Sequence, residues 1–170
     1  MKMKWLWIIL ILIILLIIIY MVFFRGKDND PIVSTREIKD IKSLHYSYSV
    51  GYAMYANYIY EIKCNDKCII KIKPNGYSEE EAKEYEVSED KIKEIINVLN
   101  KYEVSKWDGY SKSDPNVLDG DSFSFSLYEK DGKSISASGY MMWPEHYRDV
   151  KTELKEIFDS FIKEGDFIEK

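Results

Sequence analysis

The sequence predicts an α+β fold: an antiparallel sheet of about five to six strands with two helices on one face, preceded by one N-terminal transmembrane helix. Three observations predict it. Residues 5–24 form an uninterrupted apolar run. Several short segments between residues 44 and 140 alternate apolar and polar with a period of two, and some pair as hairpins. Two later segments, about 89–102 and 145–163, carry apolar residues at helical spacing.

The run Trp5 to Phe24 holds no charge, Gly, Pro or Cys over its 20 residues. At about 1.5 Å per residue it is roughly 30 Å long, the thickness of a bilayer's hydrocarbon core. A cleaved signal would have a shorter apolar region followed by small residues. Here the run ends in Tyr20-Met21-Val22-Phe23-Phe24-Arg25. A permanent anchor is therefore expected over 1–27. A polar linker (28–42), a globular domain (43–165) and a tail (166–170) are expected to follow. Lys2 and Lys4 flank one side and Arg25 and Lys27 the other, so the charge bias is nearly even. The short amino-terminal tail favours an inside N-terminus. The expectation is a single-pass protein of the cell membrane with its C-terminal domain extracytoplasmic.

Beyond residue 27 the chain carries 20 basic and 29 acidic residues, a formal charge of −9. That balance argues against nucleic acid, whose phosphates need a basic stripe, and against an anionic lipid surface. The two histidines, His45 and His146, and the two cysteines, Cys64 and Cys68, are too few and scattered for a recognisable zinc site. No metal or cofactor is implied.

From Ser43 the period is two. Leu44, Tyr46, Tyr48 and Val50 point one way, and His45, Ser47 and Ser49 the other, with His45 read as a solvated strand histidine. A three-residue loop, Asn65-Asp66-Lys67, pairs Cys64 with Cys68, Ile62 with Ile70 and Tyr60 with Ile72 on one face. The two cysteines are either a disulfide or a pair of small core-facing thiols. No C-x-x-C helix start accompanies them, which speaks against redox chemistry. After the turn Pro74-Asn75-Gly76 a short strand is expected over Lys83–Val87. Ser88 is the N-cap of a helix from Glu89 to Tyr102, buried through Ile92, Ile95, Ile96 and Leu99.

Residues 105–121 read as a loop. Strands follow over 121–129 and 133–140, with Phe123, Phe125 and Leu127 facing the core. A three-residue loop, Lys130-Asp131-Gly132, pairs Leu127 with Ile135 and Phe125 with Ala137, and leaves Gly132 left-handed in a bulged hairpin. Phe123 then lies over Gly139, where the missing side chain makes room for the ring. Trp143-Pro144 leads into a helix from about Glu145 to Lys163, with Gly165 as a stop.

The candidate site residues lie in this second half. Trp107, Tyr110, Trp143 and Tyr147 are aromatics in loops or at a helix start, with Asp108, Asp119 and Asp121 near them in sequence. They can line a small-molecule pocket or a protein-contact patch. The competing reading is that the tryptophans seal the core and the aspartates make turns. A calcium loop over 114–121 lacks the alternating acidic ligands and the closing Glu. No hydrolase, metalloprotease or P-loop signature appears, so the chain is expected not to be an enzyme. The segments WDGY (107–110), LDGDSFSFSL (118–127), DGKSISASG (131–139) and PEHY (144–147) together resemble an uncharacterised bacterial family of secreted or membrane-anchored α+β domains. The resemblance covers about residues 43–162 and implies no activity. A non-catalytic ligand- or protein-binding module is the expected function, with an immunity-type or structural partner protein as the alternative and a hydrolase of unrecognised type behind both.

Overall fold

The computed structural model describes residues 13–15, 17, 35–51 and 57–167. The chain falls into two units, 1–32 and 33–170. In the first, Ile13, Ile14, Leu15 and Ile17 are helical. The expected anchor, Trp5–Phe24, otherwise lies outside the described residues. Among these, no helix is long and apolar enough to cross a membrane.

The second unit is built on one sheet. Its strands are β1 (Ser43–Ser49), β2 (Tyr58–Cys64), β3 (Cys68–Pro74), β4 (Lys83–Val87), β5 (Ser111–Ser113), β6 (Ser122–Tyr128) and β7 (Ser134–Tyr140). They lie in the order β4-β3-β2-β1-β6-β7-β5. This corrects the expectation of about five to six antiparallel strands: among the described residues there are seven, and the sheet is mixed, because β5 joins β7 in parallel. The Ser-Lys-Ser of β5 has no apolar alternation to announce it. It is an edge strand held by backbone hydrogen bonds rather than by side-chain burial.

Both hairpin registers agree with the pairing the sequence implies. Cys64 faces Cys68, Ile62 faces Ile70 and Tyr60 faces Ile72. Leu127 faces Ile135, Phe125 faces Ala137 and Phe123 faces Gly139. A one-residue slip would turn each apolar set to solvent. Gly132 has φ +90°, the left-handed conformation the bulged loop needs. At Gly139 the approach is close: an added Cβ would collide with the Phe123 ring at Cε1 and with the Met142 carbonyl oxygen.

Two helices complete the core, α1 (Glu89–Lys101) and α2 (Tyr147–Asp159). The Ser88 hydroxyl caps α1 by accepting from Lys91 N–H at 3.3 Å. α2 is shorter at both ends than its apolar pattern suggests. His146 is left-handed, φ +58°, so regular helix starts one residue later, and residues 161 and 162 bond back three positions rather than four. Ile95 and Leu99 of α1, and Val150, Leu154 and Phe158 of α2, join the inward residues of the sheet in one core.

Residues 35–42, assigned to the linker from sequence, are docked on the domain. Ile38 and Ile41 are each 1% exposed. The Ile38 peptide is bonded to the Asn100 side chain, and Arg36 pairs with the buried carboxylate of Glu129.

Candidate functional site

The four aromatics singled out by sequence meet around one ring, Phe123. Its centroid lies 4.5 Å from Tyr147, 5.7 Å from Trp143, 6.1 Å from Trp107 and 6.3 Å from Tyr110. Trp143 stacks on Tyr147 at 4.6 Å with 15° between planes. Trp107, at the end of the 3-10 turn Val104–Trp107, is 2% exposed, and its indole N–H donates to the Glu145 carbonyl at 3.1 Å. That bond joins the 107 turn to the entry of α2. Tyr147 is 4% exposed, and burial pushes its hydroxyl up to about 12. The arrangement is a packed aromatic seal. Beside Trp143 there is a shallow depression of about 250 Å³, lined by Pro144, His146 and Arg148 among others.

The three aspartates do not gather on that cluster. Asp108 Oδ1 accepts from Ser136 N–H at 3.0 Å, the Gly109 N–H donates to the Ser136 carbonyl, and the Ser138 N–H donates to the Tyr110 carbonyl. Trp-Asp-Gly-Tyr is therefore a device that lays the chain along the edge of β7 and continues into β5. Asp121 Oδ1 accepts from Gly51 N–H at 3.0 Å and ties the end of β1 to the start of β6. Asp119 is exposed, its Oδ1 close to Gly51. Among the described residues no group of three or more His, Cys, Asp or Glu can hold a metal ion.

Sequence reasoning did not foresee the polar interior under α2. Tyr46, Tyr48 and Tyr60 pack as a ring cluster, with Tyr60 stacked 4.4 Å from Phe158. The Tyr46 hydroxyl meets that of Tyr147 at 3.5 Å, and burial raises the Tyr46 pKa well above the usual phenol range. The Tyr48 and Tyr60 hydroxyls are buried and lie against each other, with no well-aligned partner among the other described residues, and burial raises the pKa of both. Lys151 Nζ sits 4.2 Å over the Tyr48 ring, a cation–π contact, and burial lowers its pKa. The alternation of β1 places these tyrosines inward. It carries no sign of which hydroxyls find partners.

The outer face of the sheet is different in kind. Cross-strand neighbours form rows: Ser47, Ser124, Ser138 and Ser111 in one, Ser49, Ser122, Tyr140 and Ser113 in the next. No outward position of β1, β5, β6 or β7 carries Lys, Arg, Asp or Glu, although 31% of the chain is charged. Charge returns across β2, β3 and β4, where Glu61, Lys71 and Glu84 stand in one row. His45 lies on the boundary, its Nδ1 3.4 Å from Glu61 Oε1. Ser126 is its neighbour on the other side, but no hydrogen bond joins them, so the Glu-His-Ser order is not an assembled nucleophile.

Cys64 and Cys68 are joined by a disulfide across the hairpin end, with their Cα atoms 4.0 Å apart. They line a groove of about 470 Å³ that also takes in the first two turns of α1. No known family model matches the chain, and neither does any curated protein.

Proposed function

We propose that this chain is a non-catalytic binding module, held at a membrane by its apolar segment 5–24 with the folded domain on the extracytoplasmic side, and that it meets a partner protein through the outer face of β1, β6, β7 and β5. One observation carries the reading. In a domain of formal charge −9 beyond residue 27, a face four strands wide is rich in hydroxyls and free of formal charge. Desolvating hydroxyls that can be re-bonded costs far less than desolvating charges, so this is the part of the surface that a partner covers most cheaply. The aromatics around Phe123 are spent on packing, and the depression beside Trp143 is shallow. The partner that fits is polar and uncharged at its centre.

The test is site-specific photocrosslinking in intact cells. A photoreactive residue at Ser124 or Ser138 is expected to give one adduct of defined mass. The same residue at Thr152, exposed on α2, is expected to give none. Ser124→Asp with Ser138→Asp is expected to abolish the adduct. Equal labelling from Thr152, or none from the sheet, would overturn the reading. Protease shaving of a C-terminal tag on the same cells tests the compartment separately.

A further inference from the structure

We infer that the Cys64–Cys68 disulfide is a thiol-exchange site, and that the groove around it receives a peptide segment of a partner that carries a pair of thiols. The lack of a C-x-x-C helix start is a statement about neighbours in sequence. The fold supplies different neighbours. Ser88 and Glu89, which open α1, line the same groove as both sulfurs, twenty residues away along the chain.

Three features of the groove set this cystine apart from one that only staples a hairpin. First, access is one-sided. Cys64 is 5% exposed, whereas Cys68 is only partly buried, so Cys68 is the more open side of the bridge. Second, the charges balance. Lys39, Lys67, Lys93 and Lys130 are matched by Asp40, Asp66, Glu86 and Glu89, with Lys67 paired to Glu86 at 2.9 Å. An incoming thiolate therefore meets no net repulsion here, on a domain that is otherwise strongly acidic. Third, Ile92 and Ile96 are partly buried apolar walls beside Cys68, able to hold the side chains that flank a cysteine in a peptide. As a staple the bridge closes so short a loop that its entropic contribution falls at the low end of the usual range.

The step balances as ordinary exchange. A thiolate of the incoming dithiol attacks the Cys68 sulfur. A new S–S bond forms, the Cys64–Cys68 bond breaks, and Cys64 leaves with the electron pair as a thiolate. The second thiol of the dithiol then attacks the mixed disulfide, releasing Cys68 and leaving the dithiol oxidised. Two electrons and two protons pass to the cystine.

The experiment uses the full chain in detergent with two probes: a single-cysteine peptide with apolar flanking residues, and 2-mercaptoethanesulfonate as a small polar thiol. Mixed-disulfide formation is followed by mass. At equal thiolate concentration the peptide is expected to react about ten-fold faster than the small thiol, at Cys68, with a rate flat in low urea. Ile92→Ser and Ile96→Ser are expected to remove the peptide's advantage. Because these variants can lose stability, the urea dependence of the unaltered chain is the second readout. A rate that climbs with urea means attack only after unfolding and overturns the proposal. So does a native-state rate that is the same for both thiols.

Discussion

Asn100 on α1 holds both backbone polar groups of Ile38: its Oδ1 accepts from the Ile38 N–H at 2.8 Å and its Nδ2 donates to the Ile38 carbonyl at 2.8 Å. This is how the segment entering the domain is kept in register while Ile38 enters the core. Asn100→Ala leaves a donor and an acceptor of Ile38 without these partners. It is expected to cost about 2 kcal/mol in urea unfolding. An unchanged midpoint would show that the entering segment contributes nothing to the fold.

Arg36 and Glu129 make the second clamp on that segment. Glu129 is 2% exposed and its Oε2 also accepts from Lys39 N–H at 3.1 Å. Glu129→Gln is expected to destabilise by about 3 kcal/mol, because it strands a guanidinium and disturbs a buried acceptor. A double-mutant cycle with Arg36→Met is expected to give a coupling of at least about 1 kcal/mol. The exposed pair Lys91–Glu94 serves as control and should give only about 0.3 kcal/mol.

Two glycines separate a hard clash from a soft one. At Gly139 a Cβ meets the Met142 backbone and the Phe123 ring, whereas at Gly120 it meets side chains alone, Met141 at Cγ and Sδ and Val117 at Cγ1. Gly139→Ala is expected to cost more than about 2 kcal/mol and Gly120→Ala less than about 1 kcal/mol. Thermal unfolding of the two variants side by side checks the order.

Glu79 lies between Lys71 and Lys73 on the outer face of β3, and their ammonium groups hold its carboxyl down to about 2, from an ordinary value of 4.5. A carboxyl whose folded pKa is depressed stabilises the fold above its unfolded value. That contribution is therefore complete above 4.5 and is lost as pH falls through about 2. Side-chain NMR of Glu79 is expected to place its midpoint near the lower value. Glu79→Gln is expected to flatten that part of the acid limb. High salt is expected to move the midpoint back up, since the pair is exposed.

The buried hydroxyl of Tyr60 has only the equally buried Tyr48 hydroxyl beside it, without a well-aligned hydrogen bond among the described residues. Tyr60→Phe is therefore expected to leave stability unchanged or raise it by up to about 1 kcal/mol. Calorimetry of the variant checks this. A large loss would mean that the hydroxyl is bonded to buried water.

Much of the strand layout was legible because a period-two pattern admits one register per hairpin. Cys64 opposite Cys68 and Phe123 over Gly139 follow from matching apolar faces alone. The start of α1 was legible because Ser88 is a local cap. The edge strand β5 was not, since its three residues are placed by hydrogen bonds from the preceding Asp-Gly-Tyr segment to β7 rather than by their own burial. The entering segment was not, because Ile38 is held by Asn100, 62 positions away, and Ile41 is buried in the same core.

By itself the sequence determined which faces of the strands and helices are apolar, and hence the two hairpins and the core. Those are short-range consequences of side-chain alternation. Only the tertiary structure decided what became of the exceptional residues: Trp107 as a core seal, Asp108 as a backbone clip, and an uncharged face opposite the helices. Each depends on what a distant strand or turn presents, and a one-dimensional period carries no record of that.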